Sequence, residues 1–546
     1  MTPEVRTAFD LRKGPPPPGG PTPPPTRREV RRARLAVAAI VAGGLAVDLG
    51  LRGGGIGLGS TVALSVAALG VLATGRHRTA ETWGLTAVAL VLAGCLAVRT
   101  SPWIVILDWI AVVGLLALAA TPRAGIPVIG QSLVSLARRA TMPWVMAPAT
   151  GVIEPIEIGQ VLARDRRDRR HRRATDATGG PMPDRPRPSR TGLAPAVARG
   201  LLLAVPIVAG LGLLLGSADA VFASFFEIPT PRLDLGGALV HLLLVGLGAA
   251  VVAALLGTDK QVRPLARSTA RPLGAIEATV VLIGLALLYT LFAVAQLVAA
   301  VGGDGRVQST TGLTYAEYAR SGFFQLLWAA GITLVVLLGI RALTRETSPR
   351  QDLAVRACSA LCCLLTLVLV AAAINRLAVY RNAYGLTMLR LACTTFAWFL
   401  GATFVLLAVR LVQGRGGRDW LPTAMAVTAL LTLLWWNGSN PEAHVARTNI
   451  DRAVETGKLD ADYADGMSDD ALPTLVAGLD RLPADARADL VARLCGPEDP
   501  EEYDVDWGRP HVEPEADGTV ETNDGWAAFS WGRRAAVDAI EDCPAR

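Results

Sequence analysis

The sequence predicts an all-α fold: a polytopic membrane helix bundle of about eleven spans, followed by a small helical C-terminal domain. Hydrophobic residues make up 51% of the 546 residues and charged residues only 18%, which is less charge than a soluble chain usually carries. The apolar residues are grouped in blocks of about twenty, the length at which a helix crosses the hydrocarbon core of a bilayer. The third observation is the distribution of charge, which is basic before residue 438 and acidic after it. Such a distribution is typical of a chain that crosses a membrane.

The apolar blocks are predicted to be helices because a helix satisfies its own backbone polar groups inside lipid. The eleven predicted spans are Leu35–Leu51, Leu58–Thr74, Trp83–Val98, Trp103–Ala120, Ala196–Gly216, Gly236–Gly257, Ala275–Val301, Phe323–Ile340, Leu353–Ala373, Leu391–Val412 and Leu421–Trp436. They divide the chain into a disordered Pro-rich cytoplasmic tail (1–34), a four-helix membrane segment (35–120), a basic cytoplasmic linker (121–195), a seven-helix membrane core (196–437) and an acidic helical domain (438–546).

Arginine clusters set the predicted orientation. They precede the first span and then recur in every second connection, for example at Arg164–Arg173 and Arg341–Arg350. The positive-inside rule places these segments and the N-terminus in the cytoplasm, and an odd number of spans places the C-terminus outside. Residues 438–546 carry 25 acidic and 10 basic residues, a net charge of −15, whereas the residues before them carry +21. The basic charge therefore indicates contact with anionic lipid rather than with nucleic acid, in a bacterial plasma membrane protein with an extracytoplasmic C-terminal domain.

Cysteine positions follow the same division. Five cysteines lie in or beside apolar spans and are expected to pack as small hydrophobes: Cys95, Cys358, Cys362, Cys363 and Cys393. Cys495 and Cys543 lie in the acidic tail. Two cysteines in an oxidising compartment predict one disulfide, the alternative being two unpaired thiols.

The acidic tail is predicted to be a short stack of helices. The predicted helices are Pro441–Thr456 with Asn440 as its N-cap, a second capped by Ser468 with Asp469 and Asp470 in its first turn, a third at Ala484–Leu494 and a fourth at Trp526–Ile540. Asp460–Gly466 resembles a calcium loop, but its glycine and third ligand are displaced, so we interpret it as a turn and predict no metal site.

Polar segments at the outer mouths of the spans are the predicted place for a binding site. Asp219 follows the fifth span, Tyr315 and Glu317 precede the eighth, and a third segment, Ile374–Arg390, joins the ninth to the tenth. One interpretation is that ion pairs lock the outer ends of the helices together. The other is a pocket for an anionic group, since arginine forks suit phosphate and carboxylate. The candidate substrate-binding residues are Asp219, Glu317, Arg376, Arg381, Arg390, Tyr315 and Tyr384.

Three further polar residues lie within or at the ends of predicted spans: Asp48, Asp108 and His241. An intramembrane acid beside a histidine can relay protons. Nothing in the spacing of these residues shows that they meet.

The polar outer segments also carry a resemblance. The blocks Ser217–Ser224, Thr314–Phe324 and Tyr380–Thr387 resemble the bacterial membrane proteins grouped as domain of unknown function 4173 and its neighbouring family 4153. The likeness covers roughly 201–480. It implies a polytopic envelope protein and brings no biochemical activity with it.

Three common motifs for nucleotide binding, zinc binding and redox chemistry are missing, which narrows the classes of function. The sequence contains no Gly-x-x-x-x-Gly-Lys loop, no His-Glu-x-x-His motif and no Cys-x-x-Cys pair, so we predict no catalytic residue and no cofactor. The favoured hypothesis is a non-enzymatic sensor or scaffold, with an extracytoplasmic protein partner, that couples the outer domain to the membrane. The alternative is a transporter or flippase for an anionic or lipid-linked substrate. A lipid-linked sugar transferase ranks last, because the early outer loop Leu51–Gly57 lacks the acids that such enzymes need.

Overall fold

The structure is a computed structural model in two compact units, each described here by itself. The described residues are 25–51, 57–74, 79–120, 128, 130–145, 155, 158–168, short stretches between 241 and 255, 274–311, 323–344, 348–414, 419–495, 513–514, 520–521 and 526–543. The first unit contains 1–38 and 152–231. Within it, residues 158–168 are helical, and Arg34 lies 4.0 Å from Asp165.

The described residues are almost entirely helical. The long helices are α1 (Arg27–Leu51), α2 (Leu58–Thr74), α3 (Ala80–Cys95), α4 (Pro102–Ala120), α5 (Leu133–Val145), α6 (Ala275–Thr311), α7 (Phe323–Leu343), α8 (Pro349–Tyr384), α9 (Met388–Val412) and α10 (Leu421–Ser439). The C-terminal domain contains α11 (Pro441–Thr456), α12 (Ala461–Asp465), α13 (Leu472–Gly478), a 3-10 turn (Leu479–Arg481), α14 (Ala484–Leu494), a two-stranded antiparallel ribbon of β1 (Glu513–Pro514) and β2 (Val520–Glu521), and α15 (Trp531–Glu541).

Within the described part of the chain, five helices are long and apolar enough to cross a membrane. These are α4, the Ala275–Val294 part of α6, α7, α8 and α9, while α2 and α3 are shorter apolar helices. Several outward side chains are large and apolar, and Trp328 and Val335 are each 70% exposed. Water would disfavour such a surface, whereas lipid accommodates it. The predicted helical membrane class is confirmed.

Three helices extend well beyond the predicted spans: α1, α8, and α6, which continues past Val301 to Thr311. Helix α1 begins at Arg27 rather than Leu35, because Thr26 and Glu29 form a reciprocal capping box ahead of the arginines. Helix α8 continues past Ala373 to Tyr384, since buried Leu377 keeps the apolar helical spacing. The predicted outer connection therefore contracts to 385–387, between the end of α8 and the start of α9.

Helices α6 to α9 pack around one apolar core. Leu282 of α6, Cys362 and Cys363 of α8 and Phe404 of α9 are each fully buried in it. The vicinal cysteines are thus part of the packing, as expected for small hydrophobes.

A second apolar core contains Val445 and Ile450 of α11 together with Ile104, Met388 and Trp436 from α4, α9 and α10. Helix α11 and its Asn440 N-cap are as predicted, and the Asn440 side chain accepts a hydrogen bond from the Ala443 amide. Helix α14 is also confirmed. Cys495 and Cys543 are bonded to each other, with 6.0 Å between their Cα atoms.

Three predictions in this domain were wrong. Ser468 does not cap a helix, because its hydroxyl and amide both bind Glu442, and α13 begins only at Leu472. The last helix begins at Trp531 rather than Trp526, where the Ser530 side chain caps it. The turn predicted at Asp460–Gly466 instead contains the short helix α12, which Asp460 caps.

Candidate functional site: a buried polar junction

Buried polar side chains collect where the C-terminal domain meets the ends of α3, α4 and α10. They come from five places in the sequence: the α3–α4 corner, the second turn of α4, the α10–α11 corner, the turn before α13, and the start of α15. We call this set the polar junction, and its members are Arg99, Ser101, Asp108, Asn437, Glu442, Ser468, Asp469, Asp470 and Arg533.

Asp470 binds the two residues that immediately precede α4. Its Oδ2 atom accepts hydrogen bonds from the amides of Thr100 and Ser101, each at 3.0 Å. A helix N-terminus presents free amides and a partial positive charge, so a carboxylate is well placed there. Arg99 lies 4.0 Å from the other oxygen. Burial, which outweighs these favourable contacts, raises the pKa of Asp470 to about 6.

Glu442 connects the same corner to the turn before α13. Its Oε1 atom accepts a hydrogen bond of 2.5 Å from the Ser101 hydroxyl. Its Oε2 atom accepts from the Ser468 amide at 2.8 Å and from the Ser468 hydroxyl. The carboxylate is therefore enclosed by three donors from two separate segments, with 3% of the residue exposed.

Asp108 extends the junction into α4. Its Oδ1 atom accepts a hydrogen bond of 2.9 Å from the Asn437 amide group at the end of α10. Arg99 donates to the backbone carbonyl of Asn437 at 2.8 Å. Through these contacts the junction ties α4 and the α3–α4 corner to α10.

Helix α15 completes the junction from the C-terminal end of the chain. Arg533 donates to Asp469 at 3.4 Å and to the Ala528 carbonyl at 2.8 Å. The amides of Trp531 and Gly532 bind the Ala97 and Val98 carbonyls at 2.8 and 3.0 Å. The start of α15 therefore binds two backbone carbonyls that follow the C-terminal end of α3. Carbonyls at such an end have no partner within their own helix.

A second contact joins the C-terminal domain to the α8–α9 connection. The Asn449 side chain binds Leu386 from both sides, accepting from its amide at 2.9 Å and donating to its carbonyl at 2.8 Å. The Tyr463 hydroxyl accepts from the Met388 amide at 2.7 Å, and Arg452 donates to the Ala383 carbonyl at 2.9 Å. Burial raises the pKa of Tyr463.

The junction is rich in acids, and one buried side-chain oxygen each of Asp108, Asn437 and Asp470 lacks a hydrogen-bond partner among the described residues. Four carboxyl groups, on Asp108, Glu442, Asp469 and Asp470, face two guanidinium groups. No group of three or more His, Cys, Asp or Glu side chains in the described part of the chain could hold a metal ion. Several of these hydrogen bonds end on backbone atoms of a separate segment: Asp470 accepts from the Thr100 and Ser101 amides, and Arg99 donates to the Asn437 carbonyl.

Part of the binding site predicted from the sequence lies outside the described residues: Asp219, Tyr315 and Glu317. Arg390 is described. It donates to the carbonyls of Tyr384 and Gly385 at 3.1 and 2.6 Å, and its guanidinium lies 4.1 Å from the centroid of the Tyr380 ring.

Arg376 lies within α8, and Arg381 lies in the last turn of that helix. Burial, together with the charges of Arg447 and Arg381, lowers the pKa of His444 on α11. Arg381 therefore faces the C-terminal domain. Whether these arginines bind an anion stays a prediction.

Asp48 and His241 do meet, with 3.0 Å between Asp48 Oδ1 and His241 Nδ1. Asp108, the other acid singled out in the spans, instead joins the polar junction through Asn437. Most of the junction was missed by sequence reasoning. The available signal was the polar residues immediately after apolar spans, as at Arg99–Ser101 and Asn437–Glu442.

Fold and site together define a class of protein: a helical membrane protein whose C-terminal domain is bonded to the ends of its membrane helices through buried polar groups. The family model named "Domain of unknown function (DUF4153)" matches residues 86–478. The chain therefore belongs to this family, one of the two that the polar outer segments resemble, while the resemblance to family 4173 stays a prediction. No curated protein and no solved structure matches the chain at a significant level.

Proposed function

We propose that this protein is a non-enzymatic sensor or scaffold of the bacterial envelope. In this role the C-terminal domain receives an extracytoplasmic protein partner, and the polar junction couples that domain to the membrane helices. The observation that carries the proposal is the bonding of one domain to the α3–α4 corner and to the α8–α9 connection at once. A displacement of the domain would therefore move several membrane helices together.

A consistent topology supports the proposal. The domain contacts the start of α2, the end of α3, the start of α4, the end of α8, the start of α9 and the end of α10. These are the ends that share one side of a membrane if each helix crosses once. The same alternation requires an even number of crossings between α4 and α6, which the two predicted spans at 196–216 and 236–257 supply. The proposed total is eleven spans.

Charge supports the proposed orientation. Arginines lie at the opposite ends of the helices, where Arg341 binds Asp419 at 2.8 Å and buried Arg410 lies 3.5 Å from the same carboxylate. The positive-inside rule places that side in the cytoplasm, so the proposed location of the acidic C-terminal domain is extracytoplasmic. A bonded pair of cysteines in the domain suits an oxidising compartment.

Photo-crosslinking in intact cells tests the partner directly. A photoreactive amino acid replaces Val454, an exposed apolar residue on α11, in the full-length chain. We expect one envelope protein to be captured reproducibly at this position. Capture should be absent when the same group replaces Arg167, an exposed residue in the linker proposed to be cytoplasmic.

A second variant separates coupling from simple tethering. Arg533→Ala removes the partner of Asp469 and loosens α15 from the membrane ends. The scaffold proposal expects altered capture at Val454 in this variant while the protein stays in the membrane. The partner proposal would be refuted if no protein were captured at Val454 and none were captured at a second exposed position, such as Asp480.

A further inference from the structure

An open groove runs along the membrane helices beside the polar junction. Its walls come from α4, α9 and α10, and its volume is about 720 Å³. That size lies within the range of about 300–1,000 Å³ typical of small-molecule sites. The lining begins at Pro102 and Trp436 and ends at Ala111, Phe399 and Ala429.

The groove has the depth of one leaflet. Its lining on α4 extends from Pro102 to Ala111, which at 1.5 Å per residue is about 14 Å along the helix. Half of the hydrocarbon core of a bilayer is about 15 Å. All three helices are oriented so that the Pro102 and Trp436 end lies beside the polar junction and the other end lies deeper.

The lining offers nothing to water. Apart from the indole groups of Trp103 and Trp436, its polar side chains are Thr395 and Thr432, and each hydroxyl already donates to a carbonyl of its own helix. Ile106 and Ile110 are 59% and 64% exposed to the groove side of α4. An apolar groove of this kind excludes water and can accept an apolar ligand.

The mouth of the groove has the composition of a membrane interface. Trp103 follows the α3–α4 corner, and Trp436 precedes Asn437 of the junction. The Trp436 indole donates to the Thr395 hydroxyl at 3.1 Å, which fixes the ring across the groove. Tryptophans are enriched where hydrocarbon meets head groups, so the mouth marks the level of the head groups.

We propose that this groove binds one hydrocarbon chain of a membrane lipid, from the leaflet on the side of the C-terminal domain. The head group lies at the Trp103 and Trp436 end, and the chain extends towards Ala111 and Ala429. The bilayer supplies this ligand at high local concentration. The match between groove depth and leaflet depth favours a lipid chain over a peptide or a second copy of the protein. This inference does not depend on the scaffold role.

The first test uses the wild-type, full-length protein in nanodiscs of phosphatidylethanolamine and phosphatidylglycerol. A trace of phosphatidylcholine carries a diazirine midway along one acyl chain, and crosslinked peptides are identified by mass spectrometry after irradiation. We expect adducts to concentrate on the groove residues of α4, α9 and α10. Equal labelling of the outward face of α6, at Leu287 and Leu291, would mean ordinary lipid contact and would overturn the proposal.

Groove-filling variants provide the second test. Ala111→Phe and Ala429→Phe fill the groove from two walls, and Val280→Phe on the exposed face of α6 is the matched control. Native mass spectrometry counts the lipids that each variant retains. We expect both filled variants to lose one tightly held lipid and the control to lose none. Equal lipid counts in all variants would refute the proposal. An efficient disulfide between a cysteine at position 429 (Ala429→Cys) and a cysteine placed in 196–216 would also refute it, because the chain itself would then cover the groove.

Discussion

Two buried carboxylates of the polar junction accept hydrogen bonds from distant segments of the chain. Asp470 accepts amide hydrogens from Thr100 and Ser101, just before α4, and Glu442 accepts from Ser101 and Ser468. A buried carboxylate without such donors would cost several kcal/mol. The donors therefore hold the turn before α13 against α4, and removal of either side leaves the other unsatisfied.

Asp470 predicts how the attachment depends on pH. Its raised pKa means that the folded state binds the proton more tightly than the unfolded state does. The resulting stability is present in acid and is lost as pH rises through about 6. The apparent Tm of the full-length protein in detergent should therefore increase as pH falls from about 7 to about 5.

The variant Asp470→Asn should flatten this dependence, because the amide does not titrate. Asp480→Asn is the control, since the Asp480 side chain is 86% exposed. Calorimetry of both variants across the pH range measures the difference. An unchanged pH slope in Asp470→Asn would contradict the assignment.

The packing around Gly532, beside Asp470, leaves no room for a larger side chain at this position. A Cβ atom at this position would lie 2.4 Å from Asp470 Oδ1 and 2.9 Å from the Val98 carbonyl oxygen. Gly532→Ala should therefore reduce the free energy of unfolding by about 1–3 kcal/mol. Gly438→Ala, where a Cβ atom would meet nothing within 4 Å, should be neutral or stabilising by roughly 0.4–1 kcal/mol. Denaturant titration of the two variants should separate them, and equal losses would count against a tight contact at Gly532.

At the scale of secondary structure, local signals predicted most of the fold. Apolar blocks located α2 and the starts of α6, α7 and α10, and the Asn440 cap located α11. The prediction that Ser468 caps a helix was wrong because its side chain binds Glu442, 26 residues away in the sequence. Long-range partners of this kind cannot be read from local patterns, so the polar junction could not be assembled from the sequence.

The Asn449 contact predicts how the α8–α9 connection is held. Asn449→Ala leaves the amide and carbonyl of buried Leu386 without partners, at a cost of about 1–3 kcal/mol. Peptides that contain residues 385–387 should then exchange amide hydrogens faster. Thr448→Ala is the control, because the Thr448 hydroxyl bonds only a carbonyl of its own helix. Identical exchange in the two variants would mean that the connection is held by other contacts.

For the whole molecule, sequence composition predicted the membrane class, and the structure adds which helix ends contact the C-terminal domain. The orientation predicts the accessibility of introduced cysteines to a membrane-impermeant thiol reagent. Asp480→Cys should be labelled in intact cells, and Arg167→Cys only after lysis. The reverse pattern would invert the proposed topology without altering the fold.

The central claim is that the polar junction fixes the C-terminal domain to the membrane helices. Hydrogen exchange of the full-length protein in nanodiscs tests it most directly, because the amides of Thr100, Ser101, Trp531 and Gly532 all donate across the junction. We predict slow exchange at all four amides in the wild type and faster exchange at all four in Asp470→Ala. Fast exchange in the wild type, or acceleration confined to Thr100 and Ser101, would contradict a single cooperative joint.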